Sequence, residues 1–259
     1  MKDLVEVYAD GTKAVDNISF QVNKGEFFGF LGPNGAGKST TIKVLTTLLR
    51  KTSGTVSVAG YDIEKDSGAI RKLIGVQSQE TSIDPELTGR ENMVLQGNLQ
   101  QMHGKELHDR VDKLLEVVGL KDAADKRAGR YSGGMKKRLD LASTLVHKPT
   151  VLFLDEPTTG LDPQSRNTVW EYLEELNKKE GITIFLTTQY LEEADRLCQR
   201  LCIVDSGKIV AEGSPSNLKK EIGADAITIS MQDKDGKSGE TVKAVARQII
   251  SRLPAVVNT

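Results

Sequence analysis

Short apolar or β-branched runs alternate along this chain with longer stretches whose apolar residues recur at helical spacing. The runs predict strands at Leu4–Tyr8, Ile18–Val22, Phe27–Leu31, Thr55–Ala59, Leu73–Gln77, Val151–Leu154, Ile182–Thr187, Leu201–Asp205 and Lys208–Glu212. The periodic stretches predict helices at Lys38–Leu49, Arg90–Gln101, Lys105–Val118, Gly133–Val146, Pro163–Lys178, Gln189–Leu197 and Pro215–Ile222. Phe27–Leu31, Val151–Leu154 and Ile182–Leu186 are apolar on both faces, as buried strands of a helix-covered parallel sheet are. Asp205–Lys208 reads as a hairpin turn between two strands. Asp162 is a natural N-cap for the helix that follows, with Pro163 at its first position and Gly181 beyond its last turn.

Between about 80 and 148 the pattern turns helical and polar with no strand signal, so this stretch is expected to be a helical insertion into an α/β core. Gly213, Ser214, Pro215 and Gly223 mark a change of character. Beyond it, Ala226–Met231 predicts a strand and Glu240–Leu253 a helix. The expected organisation is a domain over 1–222 and a small C-terminal α+β appendage over 223–259.

Composition narrows the partners. The chain has 259 residues, enough for one large domain or two small ones. With 35 Lys+Arg against 36 Asp+Glu, its net charge of -1 argues against nucleic acid. No apolar run approaches the ~18–20 residues that span a bilayer. Met1-Lys2-Asp3-Leu4 opens no signal-peptide core, and two cysteines, Cys198 and Cys202, make no disulfide framework. The expectation is a cytoplasmic protein of a reducing compartment. The two thiols lack further Cys or His nearby and read as buried structural residues rather than a zinc site.

Gly32-Pro33-Asn34-Gly35-Ala36-Gly37-Lys38-Ser39 matches G-x-x-x-x-G-K-[ST] between a buried strand and a helix. In a P-loop the glycines let the backbone approach phosphate, and successive N–H groups form an anion nest at a helix N-terminus. Lys38 suits the β/γ-phosphates, Ser39 suits Mg²⁺, and Thr40 is a nearby phosphate donor. Val151–Leu154 runs into Asp155 and Glu156, and open α/β sheets hold ligands at the carboxyl ends of strands. Asp155 is therefore expected to hold Mg²⁺ and Glu156 to polarise a water in line with the γ-phosphate. Tyr131-Ser132-Gly133-Gly134-Met135 opens a second helix whose first N–H groups are uncovered, although an ordinary capped helix has the same pattern.

The P-loop, Ser132–Met135 and Asp155-Glu156-Pro157-Thr158-Thr159-Gly160-Leu161-Asp162 occur in that order. Together they resemble the nucleotide-binding subunit of an ATP-binding cassette (ABC) transporter over about residues 4–222. Within that family the chain most resembles the daunorubicin-resistance type of exporter ATPase. The resemblance implies a P-loop NTPase core with an antiparallel β portion and a helical insertion carrying the signature run. It implies ATP and Mg²⁺ as ligands and a membrane permease as a separate chain. It also implies a head-to-tail homodimer in which Ser132, Gly133, Gly134 and Met135 of one subunit cap the ATP on the P-loop of the other. The chain would then sit on the cytoplasmic face of the membrane through its permease and export a drug-like, lipid or other small molecule. By the same resemblance Tyr8 stacks on adenine, Gln79 senses Mg²⁺ and the γ-phosphate, and Asp162 crosses the dimer interface.

The family usually carries a histidine after the strand that follows the catalytic carboxylates. Here Thr187-Thr188-Gln189-Tyr190 stands there, and the three histidines, His103, His108 and His147, lie in the insertion. Gln189 is the expected γ-phosphate partner, a neutral amide donor rather than a cation. Relatives also extend further at both ends, so the resemblance implies that the appendage is incomplete. Lys136-Lys137-Arg138 can be a solvated helix face or can steer the opposite γ-phosphate. A non-transport ABC ATPase and a nucleotide-sensing module are the alternatives. The first tends to carry two cassettes or a long coiled coil, neither of which is present. Glu156 argues against the second.

Overall fold

Phe27–Leu31 is β3, buried at every residue, and it lies inside a six-stranded sheet. The computed structural model describes residues 1–222. The remaining strands and helices, in chain order, are β1 Lys2–Val7, β2 Lys13–Ile18, α1 Lys38–Leu45, β4 Ser53–Thr55, β5 Ser57–Val58, β6 Tyr61–Asp62, α2 Ser67–Leu73 and β7 Ile74–Gln77. There follow α3 Gly89–Leu99, α4 Gly104–Val117, α5 Gly133–Thr144, β8 Val151–Asp155, α6 Pro163–Glu180, β9 Thr183–Thr188, α7 Leu191–Leu197, β10 Arg200–Asp205, β11 Lys208–Gly213 and α8 Pro215–Ile222. The large sheet has the order β11-β10-β3-β9-β8-β7, parallel except for the hairpin strand β11. β2-β1-β4 form a separate antiparallel sheet.

Strand alternation divides the core into two clusters. Phe28, Phe30, Phe153 and Phe185 pack with Leu4, Val15, Ile18 and Phe20 of the antiparallel part and with Ile42, Val44 and Leu45 of α1. Phe20, Phe28, Phe30 and Phe153 each have their ring centroid 5.5 to 5.8 Å from that of Phe185. Phe27, Leu31, Leu152, Leu154, Ile184 and Leu186 pack instead with α4, α5, α6 and the loops of the helical insertion. Successive strand residues point to opposite faces, so a run apolar at every position serves both clusters. The stretch from 78 to 150 contains helices and no strand. Met1–Glu221 is one compact unit.

Local departures from the sequence expectations have local causes. The strand expected at Ile18–Val22 lies at Lys13–Ile18, because β2 registers against β1 through Glu6↔Val15 and Leu4↔Ile18. The run Thr55–Ala59 splits, and Ala59 and Gly60, both at positive φ, turn β5 back into β6. α1 stops at Leu45 rather than Leu49: the Thr46 hydroxyl bonds back to Ile42 O and Thr47 takes positive φ. α2 escaped the pattern because only Ile70 on it is buried. α7 begins at Leu191 rather than Gln189, since the Thr188 hydroxyl accepts the Tyr190 N–H and holds the strand end open. At α6 the expected punctuation is present: Asp162 caps it, Pro163 opens it, and Gly181 closes it at φ 66°. The appendage expected over 223–259 lies outside the described residues.

Candidate functional site

The loop from Gly32 to Gly37 joins β3 to α1, and two of its glycines are required by close packing. A Cβ at Gly32 would stand 2.3 Å from Val204 O, and one at Gly37 (φ 96°) would stand 2.3 Å from Ala14 O. Gly35 has φ 83° and open space around it. Pro33 and Asn34 are exposed, whereas Ala36 is buried and donates its N–H to Pro33 O at 3.3 Å. No side chain caps α1, so its first N–H groups face the loop as an anion nest does. Lys38 is buried and turns its ammonium over the loop, donating to Gly32 O at 2.8 Å and Pro33 O at 3.0 Å. Tyr8 joins from the end of β1, its hydroxyl 2.9 Å from Thr40 Oγ1 and its ring partly exposed.

The acidic strand end arrives by sheet order. β9 separates β3 from β8, and Asp155 pairs in register with Thr187. The Thr187 hydroxyl donates to Asp155 Oδ1 at 2.5 Å. Glu156 leaves the strand at φ 50°, with its N–H donated to Thr187 O at 3.1 Å. A positive φ at a non-glycine costs energy and tends to persist where function requires it. Here it turns the Glu156 carboxylate to 3.1 Å from Lys38 Nζ. Among the described residues, the Ser39 hydroxyl and the second Asp155 oxygen have no hydrogen-bond partner in the protein. The buried Asp155 carboxylate and the partly exposed Ser39 hydroxyl are hard oxygen donors beside an anion nest, so this donor set fits Mg²⁺.

Gln189 follows β9 directly. Gly32 donates its N–H to Thr188 O at 3.2 Å, so the exposed Gln189 departs beside the start of the loop. The N-cap of α7 is Tyr190, and no side chain caps that helix, so Gln189 is not a helix cap. Gln79 lies in the exposed loop after β7, and its carbonyl accepts from Lys137 Nζ at 2.6 Å. Its own side chain makes no hydrogen bond among the described residues.

Ser132 caps α5, its hydroxyl accepting the Met135 N–H at 3.2 Å. Asp162 caps α6 by accepting the Ser165 N–H at 2.9 Å and hydroxyl at 2.6 Å, which hold its carboxyl below the usual carboxylate range. The two capped ends are neighbours, since a Cβ on Gly134 would lie 2.9 Å from Ser165 Oγ. Ser132, Gly133 and Asp162 are exposed. Among the described residues, no hydrogen bond or ion pair joins Ser132–Met135 or Asp162 to the loop Gly32–Thr40. The structure thus gathers Tyr8, the loop, Asp155, Glu156 and Gln189 into one group, and Ser132–Met135 with Asp162 into another.

Sequence reasoning left Lys136–Arg138 between two readings. The structure fastens Lys137 to the Gln79 carbonyl and Arg138 to Val118 O at 2.6 Å, so these two are not a freely solvated face. Burial lowers the Lys137 pKa, and the charges of Asp140, Asp155 and Glu156 oppose that shift. Asp140 in turn accepts from the Ser82 N–H at 3.2 Å and hydroxyl at 3.0 Å. A carboxylate one helical turn after a lysine was the only signal, and it is common on helix surfaces.

The ABC transporter family model matches residues 15–159, which carry the loop, Ser132–Met135, Asp155 and Glu156. The chain belongs to the ABC transporter family. As a member it is an ATP-binding cassette ATPase with a P-loop α/β core. It is 46% identical over 235 residues to the daunorubicin/doxorubicin resistance ATP-binding protein DrrA of Streptomyces peucetius, covering 91% of this chain and 71% of that protein. It is 45% identical over 238 residues to the Nod factor export ATP-binding protein I of Paraburkholderia xenovorans, covering 92% of this chain and 78% of the relative. A dimeric ATP-binding cassette solved in a post-hydrolysis state with ADP and Pi superposes with a TM-score of 0.76 at 26% identity, covering 83% of this chain and 97% of that one. A cassette of the cbiONQ transporter complex from Clostridium perfringens has a TM-score of 0.77 at 28% identity, covering 98% of this chain and 94% of that one. No described helix of this cassette is long and apolar enough to cross a membrane.

Proposed function

We propose that this cassette hydrolyses Mg-ATP to drive export of a drug-like, lipid or other small molecule through a permease carried on a separate chain. The observation that carries the chemistry is the ion pair between Lys38 and Glu156, which brings the loop and the acidic strand end together. Export rests on the likeness to drug-resistance and Nod-factor export ATPases along most of the chain. The permease would hold the cassette at the cytoplasmic face of the membrane.

In this reading the N–H groups of Gly37 to Thr40 and the Lys38 ammonium hold the β- and γ-phosphates, and Tyr8 stacks on adenine. Ser39, Asp155 and Gln79 would hold Mg²⁺, which when bound neutralises phosphate charge. Glu156 accepts the proton of the attacking water, and Gln189 donates its amide to a γ-phosphate oxygen. Among the described residues, Ser132–Met135 and Asp162 make no hydrogen bond or ion pair with the loop of their own chain. That separation supports a two-fold dimer in which each site takes the signature run from the partner.

The test is ATP turnover by the purified cassette with and without Mg²⁺, alone and with its permease in vesicles. The reading requires Mg-dependent turnover that the permease accelerates. Turnover that proceeds equally in a chelator, or that ignores the permease, would refute it.

A further inference from the structure

Glu193 on α7 is 0% exposed and bonds two separate parts of the chain at once. Its Oε1 accepts from the Thr158 hydroxyl at 2.8 Å and from the Trp170 indole N–H at 2.8 Å. Thr158 lies in the loop between Glu156 and Asp162 and is also 0% exposed. Trp170 lies on α6, the helix that Asp162 caps. The second oxygen, Oε2, is buried and has no hydrogen-bond partner among the described residues. Among the described residues, no cation pairs with Glu193. The nearby guanidinium groups of Arg166 and Arg196 lie over the Trp170 ring, at 5.9 and 5.1 Å from its centroid.

A carboxylate in such a place is costly to bury, and a well-packed apolar residue would serve stability as well or better. What an apolar residue cannot do is hold two donors to one point by charge-assisted bonds. Those donors belong to the loop after Glu156 and to the helix after Asp162. Glu193 itself lies on the helix that directly follows Gln189 and Tyr190. We infer that Glu193 is a positioning residue that ties the Gln189 segment to the loop 156–162, so that the state of the γ-phosphate site sets the position of Asp162. This rests on the functional reading above, in which Gln189 meets the γ-phosphate.

The molecule carries its own reporter, because Trp170 is its single tryptophan. The probes are Mg-ATP and Mg-ADP, with nucleotide binding measured separately by equilibrium dialysis of radiolabelled nucleotide. In the wild type, Trp170 emission should shift with ATP and not with ADP. Thr158→Val removes one donor without changing its volume, and Glu193→Gln removes the charge. Both should retain ATP affinity within about twofold, lose most of the ATP-dependent emission shift, and lower kcat about tenfold with KM unchanged, equal to about 1.4 kcal/mol in the barrier. Two results overturn the inference. One is wild-type kcat with an intact emission shift in both variants. The other is kcat and ATP affinity lost together in proteins of lowered Tm, which marks Glu193 as packing only. Should the wild type fail to bind radiolabelled ATP at all, the functional reading itself falls and this inference with it.

Discussion

Lys38 Nζ and Glu156 Oε1 lie 3.1 Å apart, and both side chains are almost wholly buried. The contact is made by topology: β9 separates the strands that lead to the two residues, and it bonds to both of their loops through Thr187 and Thr188. Each charge compensates the other, and Lys38 has two carbonyls in addition.

That arrangement makes the two single variants unequal. Lys38→Ala removes the cation that faces the phosphates and leaves Glu156 buried without it. Breaking a buried pair from one side typically costs about 3–5 kcal/mol. The expected outcome is loss of tight ATP binding by titration calorimetry, together with a lowered urea midpoint. Near wild-type ATP affinity would remove the loop from the nucleotide site.

Glu156→Gln keeps the shape of the side chain, and Lys38 retains the Gly32 and Pro33 carbonyls. ATP binding should survive. Loss of a general base or water-orienting group commonly lowers turnover by ~10²–10⁴. The retained ATP should hold two subunits together, visible as a dimer on gel filtration with Mg-ATP. Normal turnover by this variant would assign the base elsewhere.

Ser132 and Asp162 cap neighbouring helices and bond to nothing in the loop Gly32–Thr40. Ser132→Arg should therefore damage hydrolysis while leaving ATP binding by the monomer intact. Mixed with Lys38→Ala, it forms dimers in which both lesions fall in one composite site and the other site is whole. Part of the activity should return on mixing. If Ser132→Arg alone binds ATP as poorly as Lys38→Ala, the shared site is wrong.

The placement of the loop Gly32–Lys38 and of Asp155 and Glu156 at strand ends was legible in the sequence, because a P-loop and an acidic strand end carry their context with them. The strand Phe27–Leu31 has the expected bounds, and Asp162, Pro163 and Gly181 punctuate α6 as their residue types predict. What the sequence did not show is what one residue does for two elements. Nothing in the expected helix Gln189–Leu197 singles out Glu193 from its acidic neighbours, yet it is buried and bonded to Thr158 and Trp170 of other segments. Lys137 reads as part of a basic run, yet its ammonium is spent on a carbonyl of the Gln79 loop. Such pairings depend on tertiary approach, for which no local period or spacing exists. α2 failed for the opposite reason: one buried residue leaves no stripe to read.

His147 gives a pH prediction. Its Nε2 lies 2.9 Å from Ile74 O, which can only accept, so the proton is on Nε2, and the buried Nδ1 has no partner among the described residues. Burial lowers its pKa from the ordinary value of 6.5, opposed by the bond to Ile74. The unfolded chain therefore takes up this proton more readily than the folded one. The neutral form's stabilisation is present above the unfolded value and is lost as pH falls through the folded value. His147→Gln keeps an N–H for Ile74 and cannot titrate. Between pH 7.5 and 5 the wild type should lose more of its urea midpoint than this variant. Parallel losses would mean that His147 stays solvated enough to titrate normally.

Gln189 stands exposed beside the loop and does not cap the following helix. If it donates to the γ-phosphate, Gln189→Ala should lower turnover, because a phosphate oxygen is left without that donor. Gln189→His is the informative comparison. An imidazolium makes a stronger, charge-assisted bond to phosphate than a neutral amide. It is also shorter, and the strand end is fixed on both sides, by Gly32 on Thr188 O and by Glu156 on Thr187 O. The backbone therefore cannot advance to make up the reach. The two effects oppose each other, and the expected change is within about tenfold either way, about 1.4 kcal/mol in the barrier. Gln189→Ala should fall below both. The measurement is steady-state ATPase activity of the three proteins with the permease present, at saturating Mg-ATP. Wild-type turnover by Gln189→Ala would show that this exposed side chain takes no part in the reaction, and the γ-phosphate would then depend on Lys38 and the loop N–H groups alone within this chain.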